Sequence, residues 1–356
     1  MPIPDESVQC IVTSPPYWGL RKYSGEQELV WAGTDGCEHE FSGRDVSDIR
    51  EETTIGKSRT SDRFYGNESR KFNGNHQKHF QTHTCIHCDA WRGAFGLEPT
   101  IEIYIAHTVE VLRECRRVLR SDGVLFWNIG DSYAANRSYQ VVDNKHVDVG
   151  NNHGSNVPVG LKPKDLCLIP SRVALAAQAD GWWVRSMIIW SKPNPMPESV
   201  TDRPTDAYEH ILMLTKAERY YWDAYAVREN REGNTHSRGS KRTPPIEKAG
   251  IGHEDWCKYM VRDDELTSRN LRNVWMFATQ PYSEAHFATF PEELPRRCIL
   301  AATKLGDTVL DPFAGSGTVG RVAVELNRKA ILNDLSYHDL SDKRTRNVQR
   351  NLLVTS

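Results

Sequence analysis

No apolar run in this chain is long enough to cross a bilayer, and the N-terminus lacks the basic start and apolar centre of a secretion signal. A membrane-spanning or exported protein is therefore not expected. An excess of one charge is also missing: 45 Lys and Arg stand against 47 Asp and Glu, a net of −2. That excludes a globally basic footprint, so any nucleic-acid contact has to come from local patches. Hydrophobic residues make up 38% of the chain, little for a compact enzyme, so part of the sequence should be polar insertion. There is no internal repeat. The eight cysteines do not read as a secreted disulfide framework. Cys10, Cys115, Cys167 and Cys298 sit in apolar surroundings, where small buried thiols are expected. The 356 residues suit one large α/β domain with insertions.

Two short segments carry the chemistry. Val8 to Thr13 is an apolar, β-branched run stopped by Ser14-Pro15-Pro16-Tyr17-Trp18. That pattern predicts a buried parallel strand ending in a loop. Pro15 and Pro16 fix φ and remove two backbone donors, so the loop is stiff and its carbonyls are left over to hold an amino group. Tyr17 offers a flat face for stacking, and Trp18 a second. Near the other end, Thr308 to Pro312 predicts a second buried strand with Asp311 at its C-terminal end. Phe313, Ala314, Gly315, Ser316, Gly317 and Thr318 follow, then a helix from about Val319 to Asn327 and a strand at Ala330 to Asp334. Strand, glycine turn and helix let a cofactor approach backbone closely in a doubly wound sheet. Asp334 follows Gly317 at close to the spacing, about 20 residues, at which an acid meets ribose hydroxyls. The glycine loop alone fits many nucleotide binders. The two segments together, each ending an apolar strand, are far more specific.

Between them strands and helices alternate. Periodicity predicts a helix over Glu102 to Leu119, ended by Arg120-Ser-Asp-Gly, then a strand from Gly123 into Asp131. Ile169 to Ala179 reads as a helix, Trp182 to Trp190 and Glu209 to Thr215 as strands, and Tyr220-Tyr221-Trp222 as a hairpin return of the last. The expected fold class is α/β: a doubly wound, mostly parallel sheet with helices on both faces. Residues 24 to 96 break this rhythm, and Phe41 to Thr84 is polar enough to be expected as loop or partly disordered. Cys37-x-His39 and Cys85-x-x-Cys88 stand at its edges. Two ligand pairs on tight turns are what tetrahedral zinc needs where a small lobe has no core. His83 and His87 are alternatives to His39, and a reduced pair of thiols in a polar loop is the plainer reading. A redox role for the CxxC is disfavoured, because no thioredoxin-like strand precedes it. Residues 134 to 164 read as another polar loop. Residues 226 to 270 break the rhythm again. Arg228, Arg231, Arg238, Lys241 and Arg242 form a local basic stretch suited to phosphate and base-edge contacts, although composition alone favours a solvated surface loop.

The chain resembles the beta class of DNA amino-methyltransferases, which modify an exocyclic amine on a nucleobase. Ser14-Pro15-Pro16-Tyr17 is similar to their catalytic loop, and Asp311 to Thr318 to their S-adenosylmethionine (SAM) loop. The order, catalytic loop before cofactor loop, is the circularly permuted one of that class. Val118 to Phe126, Ile189 to Asn194 and Tyr208 to His210 resemble intervening family segments, and His286 to Leu294 the segment packed over the cofactor. The resemblance spans nearly the whole chain. It implies that residues 1–23 and 97–225 form the catalytic half and 24–96 a zinc-like insertion of the kind seen in phage and bacterial members. Residues 226–280 would be the target-recognition segment and 281–356 the SAM-binding half. It also implies that Ser14 and the Pro15 carbonyl bond the target amine while Tyr17 stacks on the flipped base. Asp311, Pro312, Phe313, Gly315, Ser316, Gly317 and Thr318 would shape the methionine side of the SAM pocket. Asp334 would bind the ribose, and Phe290 and Pro291 would line the wall. One departure stands out. Family members carry, ahead of the proline-rich loop, a strand with an acid at the adenine of SAM, and Met1 to Ser7 is too short to hold it.

The implied partners are double-stranded DNA and a cognate restriction endonuclease, and the implied setting is the cytoplasm of a bacterial or phage-infected cell. Cytosine carbon-5 methylation would need a nucleophilic cysteine, commonly after proline, and the chain has no Pro-Cys pair. By resemblance, Ser-Pro-Pro-Tyr is commoner in cytosine-N4 enzymes, and Asp- or Asn-Pro-Pro-Tyr in adenine-N6 enzymes. A neutral serine also suits the acceptor ring nitrogen of cytosine. Cytosine-N4 is therefore expected ahead of adenine-N6. A rival from another class is a non-catalytic DNA-binding protein on a decayed methyltransferase scaffold, which should have lost its two loops first. RNA or protein amines are further substrates that the catalytic loop alone does not exclude.

Overall fold

The apolar run after Ser7 forms a strand with every residue buried, which only a strand covered on both faces can be. The computed structural model describes residues 2–19, 28–45, 81–88, 90–134, 158, 160–230, 268–279, 290–335, 341, 344–346 and 348. In chain order the elements are β1 (Val8–Thr13), β2 (Glu28–Trp31), β3 (Phe41–Asp45), β4 (Gln81–Cys85), β5 (Trp91–Ala94), α1 (Ile101–Val118), β6 (Leu119–Ile129), α2 (Ile169–Ala179), β7 (Trp183–Ser191) and β8 (Tyr208–Thr215). Then come β9 (Glu229–Asn230), β10 (Ser268–Arg269), β11 (Val274–Met276), α3 (Glu293–Ala302), β12 (Thr308–Asp311), α4 (Thr318–Glu325) and β13 (Lys329–Leu332).

Seven strands form the central sheet in the order β11-β7-β8-β6-β1-β12-β13. β1 pairs in parallel with β6 and β12, β12 with β13, and β7 with β11. β8 runs antiparallel to both β6 and β7. The sheet is thus mostly parallel, as expected. Alternation along the strands divides the core. Leu125, Trp127 and Ile129 of β6, with Leu212 and Leu214 of β8, pack with Tyr104, Leu112, Cys115, Ile169 and Val173 of α1 and α2. Val124 and Phe126, with Ile211 and Met213, pack on the other face with Leu294, Cys298, Val319 and Val322 of α3 and α4. α1 is held at its start by the Thr100 hydroxyl, which accepts from Ile103 N, and closes with Arg116 and Arg117 in its last turn. Its buried residues Ile101, Tyr104, Thr108, Leu112 and Cys115 form one helical stripe. Cys10, Cys115, Cys167 and Cys298 are fully buried, as expected.

Several boundaries differ from the sequence expectation. β6 starts at Leu119, so the Arg120-Ser-Asp-Gly segment expected to separate the helix from the strand is itself strand. Tyr220-Tyr221-Trp222 is not a hairpin return. The two sides of β8 are already taken by β6 and β7, and Tyr220 and Trp222 pack against the core from irregular chain. The ends of the polar stretch from Phe41 to Thr84 are strands, not loop. β3 and β4 pair antiparallel within a small four-stranded sheet, β2-β5-β4-β3, while residues 46–80 lie outside the described residues. β9 and β10 pair antiparallel and bracket residues 231–267, also outside the described residues. Among the described residues the central sheet ends at β13, and no helix is long and apolar enough to cross a membrane.

The small sheet sits on α1. Trp31 stacks on Phe95 at 5.2 Å and on His107 at 4.9 Å, and Trp91 on the same His107 at 5.5 Å. His107 Nδ1 lies 3.1 Å from Glu98 Oε1, and both side chains are buried.

Candidate active site

The carboxyl ends of β1 and β12 lie side by side, and the connections leave them on opposite faces of the sheet: α1 on one, α4 on the other. A reversal of this kind opens the crevice in which open α/β sheets bind ligands. Both sequence-predicted loops stand at its rim. The Thr13 hydroxyl donates to Asp311 Oδ1 at 2.6 Å, a buried bond between the two strands, and Phe313 N donates to the same oxygen at 3.1 Å. Burial pushes the Asp311 carboxyl up to about 7. The bonds from Thr13 and Phe313 act against that rise, and the charge of Asp334 adds to it.

The glycine loop bends by left-handed backbone at Gly315 and Gly317, with φ of 47° and 78°. A side chain on Gly317 would strike Ser341, whereas one on Gly315 would meet no atom of the described residues within 4 Å. Gly315 therefore faces open space and Gly317 faces protein. Gly315 N donates to Asp334 Oδ2 at 2.8 Å, which ties the acid after β13 to the loop. Ser316 and Thr318 are buried, and each accepts from Arg344, at 2.9 and 3.1 Å, so their hydroxyls point into the protein. The Pro312 carbonyl accepts from Asn333 Nδ2. Phe313 stacks on Phe95 at 5.7 Å, with Trp127 edge-on at 6.1 Å. Phe290 packs with the α3 and α4 core, and the Pro291 carbonyl accepts from Leu294 N at the start of α3.

In the proline loop, Tyr104 OH donates to the Pro16 carbonyl at 3.0 Å. Among the described residues no donor reaches the Pro15 carbonyl. The Ser14 hydroxyl lies 3.2 Å from Tyr17 OH, which donates to Glu209 Oε2 at 2.6 Å. Asn128 Nδ2 donates to both Tyr17 OH and Glu209 Oε2 at 2.8 Å, and Lys192 Nζ pairs with Glu209 Oε1. One face of the Tyr17 ring rests on Gly130, where an added Cβ would come within 2.8 Å of Cε2. Trp18 does not supply a second stacking face. It is 4% exposed, and its Nε1 donates to the Glu98 carbonyl at 3.1 Å.

Cys37, His39, Cys85 and Cys88 come together at the edge of the small sheet, their ligand atoms all within 4.8 Å of one another. Cys37 Sγ is 3.9 Å from Cys85 Sγ, and Cys88 Sγ is 3.3 Å from His39 Nδ1. A tetrahedral ion with metal–sulfur bonds of about 2.3 Å holds its ligand atoms roughly 3.5–3.8 Å apart, so the set needs little adjustment to close on one. Gly33, with φ of 98°, passes behind it where a Cβ would press on Cys88 Sγ and His39 Cε1. The His87 amide donates to Cys85 Sγ at 3.4 Å, while its ring faces Glu40. Of the expected basic residues, Arg228 donates to Ser268 Oγ at 2.7 Å and helps to close the β9–β10 ribbon. Arg231, Arg238, Lys241 and Arg242 lie outside the described residues.

A family model described as DNA methylase, of the N6 and N4 type, matches residues 8–341. The chain belongs to this family. It is 36% identical over 354 residues to the type II methyltransferase M.Cfr9I of Citrobacter freundii, covering 99% of this chain and 85% of that protein. It is 36% identical to M.XycI of Xanthomonas campestris pv. cyanopsidis, covering 92% of this chain and 77% of that protein. With M.SmaI of Serratia marcescens the identity is 33%, over 95% and 84% of the two chains. The fold is similar to that of the solved PvuII DNA methyltransferase (cytosine-N4-specific), with a TM-score of 0.51 and 16% identity over 99% of this chain and 83% of that one. The protein is a DNA methyltransferase of the N4/N6 amino type.

Sequence reasoning missed Asn128, Lys192 and Glu209 as neighbours of the catalytic loop. Each had only a weak signal: a polar residue at the end of an otherwise apolar strand. It also missed Phe95 and Arg344, which act on the cofactor loop. The seat of Tyr17 is open to a direct test. Gly130→Ala should force the anchored ring off its place and lower turnover about 100-fold, the scale of a misplacement of about 1 Å. Thermal unfolding should change little, and single-turnover kinetics checks the effect.

Proposed function

We propose that this methyltransferase moves a methyl group from SAM to the N4 amine of a cytosine flipped out of duplex DNA. The observation that carries the reading is the stiff Ser14-Pro15-Pro16-Tyr17 loop at the end of β1, with the Pro15 carbonyl unclaimed among the described residues and Ser14 beside it. The exocyclic lone pair is conjugated into the ring. Fixed acceptors on its two protons return density to nitrogen, and the Ser14 oxygen and Pro15 carbonyl serve as those acceptors while the amine is held for in-line attack. No covalent enzyme intermediate is needed. Flipping costs a few kcal/mol, roughly, and stacking on Tyr17 offsets about 1–3 kcal/mol of it. The choice of cytosine rests on serine heading the loop where Asp or Asn would favour adenine.

The pocket residues fit SAM. Gly315 faces open space beside two carboxylates, Asp311 and Asp334, which suits a cationic ligand with hydroxyls. Bound there, SAM would supply the electrophilic methyl group. Asp311, Pro312, Phe313 and Gly315 would shape its methionine side, and Asp334 would take the ribose. Ser316, Gly317 and Thr318 would hold the loop from behind, and Phe290 and Pro291 would close the wall. Cys37, His39, Cys85 and Cys88 suit a structural zinc, because β3 and β4 are mostly polar and Leu29 and Val30 of β2 are exposed, which leaves the small sheet little core of its own. Residues 24–96 then form a zinc lobe between residues 1–23 and 97–225 of the catalytic half. Residues 226–280 would be the target-recognition segment, whose Arg228, Arg231, Arg238, Lys241 and Arg242 would contact DNA, and 281–356 the SAM half. Relatives named type II methyltransferases support a restriction-modification setting with a cognate endonuclease.

These assignments are open to direct measurement. Incubation with labelled SAM and unmethylated genomic DNA should give N(4)-methylcytosine on nucleoside analysis. Ser14→Ala should slow the chemical step about 100-fold with DNA binding nearly unchanged, the mark of an interaction that strengthens in the transition state. N(6)-methyladenine alone would reverse the base choice, and 5-methylcytosine would overturn the mechanism. Calorimetry should show SAM binding abolished by Gly315→Leu in a folded protein. In the parent, affinity should rise as pH increases through about 7, because a cation favours the ionised form of Asp311, and Asp311→Asn should flatten that rise. Metal analysis should find about one zinc per chain, and Cys85→Ser should loosen the small sheet in hydrogen exchange while sparing the central one. Zinc-free protein from a chelator-free preparation would contradict the zinc assignment.

A further inference from the structure

The hydrogen bonds around Tyr17 have a direction, and it originates at Glu209. A carboxylate only accepts. Lys192, which only donates, occupies Oε1, and Oε2 takes both Tyr17 OH at 2.6 Å and Asn128 Nδ2 at 2.8 Å. The single hydroxyl hydrogen of Tyr17 is thereby committed to Glu209. Its oxygen can then only accept, from Asn128 at 2.8 Å and from Ser14 at 3.2 Å. The single hydroxyl hydrogen of Ser14 is in turn committed to Tyr17, which leaves Ser14 its lone pairs to offer. Asn128 is 2% exposed, and its Oδ1 has no partner among the described residues, so the satisfied end of this amide is the one at the junction. Glu209 and Lys192 are 17% and 19% exposed, sheltered enough for the order to persist.

We propose that Glu209 is a positioning residue for methyl transfer: acting through Tyr17, it fixes the Ser14 hydroxyl as an acceptor for the target amine. The proposal rests on the reading of Ser14 given above. It extends that reading by assigning Tyr17 a second task, carried by its hydroxyl and separate from stacking.

Glu209→Gln tests this with nearly the same shape. Lys192 takes the amide oxygen, so the amide nitrogen faces Tyr17 as a donor. Tyr17 must then turn its hydrogen to Ser14, and Ser14 must present its own hydrogen to the amine. The single-turnover rate should fall about 100-fold, the scale of losing one preorganised hydrogen bond, while SAM and DNA dissociation constants stay within about threefold. Tyr17→Phe keeps the ring and removes the link, and should slow the same step about 10-fold with binding kept. In the Tyr17→Phe background, Glu209→Gln should add less than about a twofold loss, because groups acting in one chain are not additive. A Glu209→Gln or Tyr17→Phe enzyme at the parent rate would overturn the proposal. So would losses that multiply in the double variant, or losses that fall on SAM or DNA affinity instead of the rate. Ser14→Ala separates the two readings. If it is slow while Glu209→Gln is fast, only the present proposal falls; if it is fast, both fall.

Discussion

A single buried hydrogen bond, from the Thr13 hydroxyl to the Asp311 carboxyl, joins two ends of the chain that lie 298 residues apart. The proline loop begins one residue after Thr13 and the glycine loop one residue after Pro312, so this bond sets the separation of the group that holds the amine from the group that holds the methyl donor. In-line transfer tolerates little error in that separation. The parallel register of β1 with β12, Cys10 to Val309 and Ile11 to Leu310, fixes it along the strands, and the bond fixes it at the tips. Burial also raises the pKa of the Asp311 carboxyl, and the bonds from Thr13 and Phe313 offset part of that rise.

Part of the support for the catalytic loop comes from outside the central sheet. Glu98 is fully buried and serves three neighbours: Gly96 N at 2.9 Å, His107 at 3.1 Å and, through its carbonyl, Trp18 at 3.1 Å. Gly96 O takes Gly19 N at 2.7 Å, and a side chain at Gly96 would press on Pro16. The small sheet ends in this segment, so the lobe with the four metal-type ligands and the loop with Ser14 share one wall. Phe95 extends that wall to Phe313 of the cofactor loop.

The sequence disclosed the local features and concealed the cooperative ones. β1 and α2 match their expected limits, because an apolar run stopped by Ser-Pro-Pro and a run of aliphatic and alanine residues are each decided within a few positions. β3 and β4 were invisible: Phe41–Asp45 and Gln81–Cys85 are too polar to read as strands and are held by pairing with each other next to the cysteine cluster. Tyr220-Tyr221-Trp222 has strong β propensity, yet no open strand edge was available to it beside β8. Trp18 read as a stacking face because its burial depends on Glu98, 80 positions away. Glu209 escaped notice for the same reason, since its worth lies in a bond to a tyrosine 192 positions earlier.

The place of β1 in the sheet has a bearing on how the chain is made. At ribosomal rates of about 5–20 residues per second, β12 follows β1 by roughly 15–60 s. Through that interval β6 can cover one flank of β1, while the other is a bare strand of six apolar-environment residues with open backbone groups, the kind of edge that recruits neighbouring chains. The nascent protein is thus both inert and adhesive until β12 emerges. Methyl transfer therefore starts only after a built-in lag, whose length is set by where one strand lies in the sheet.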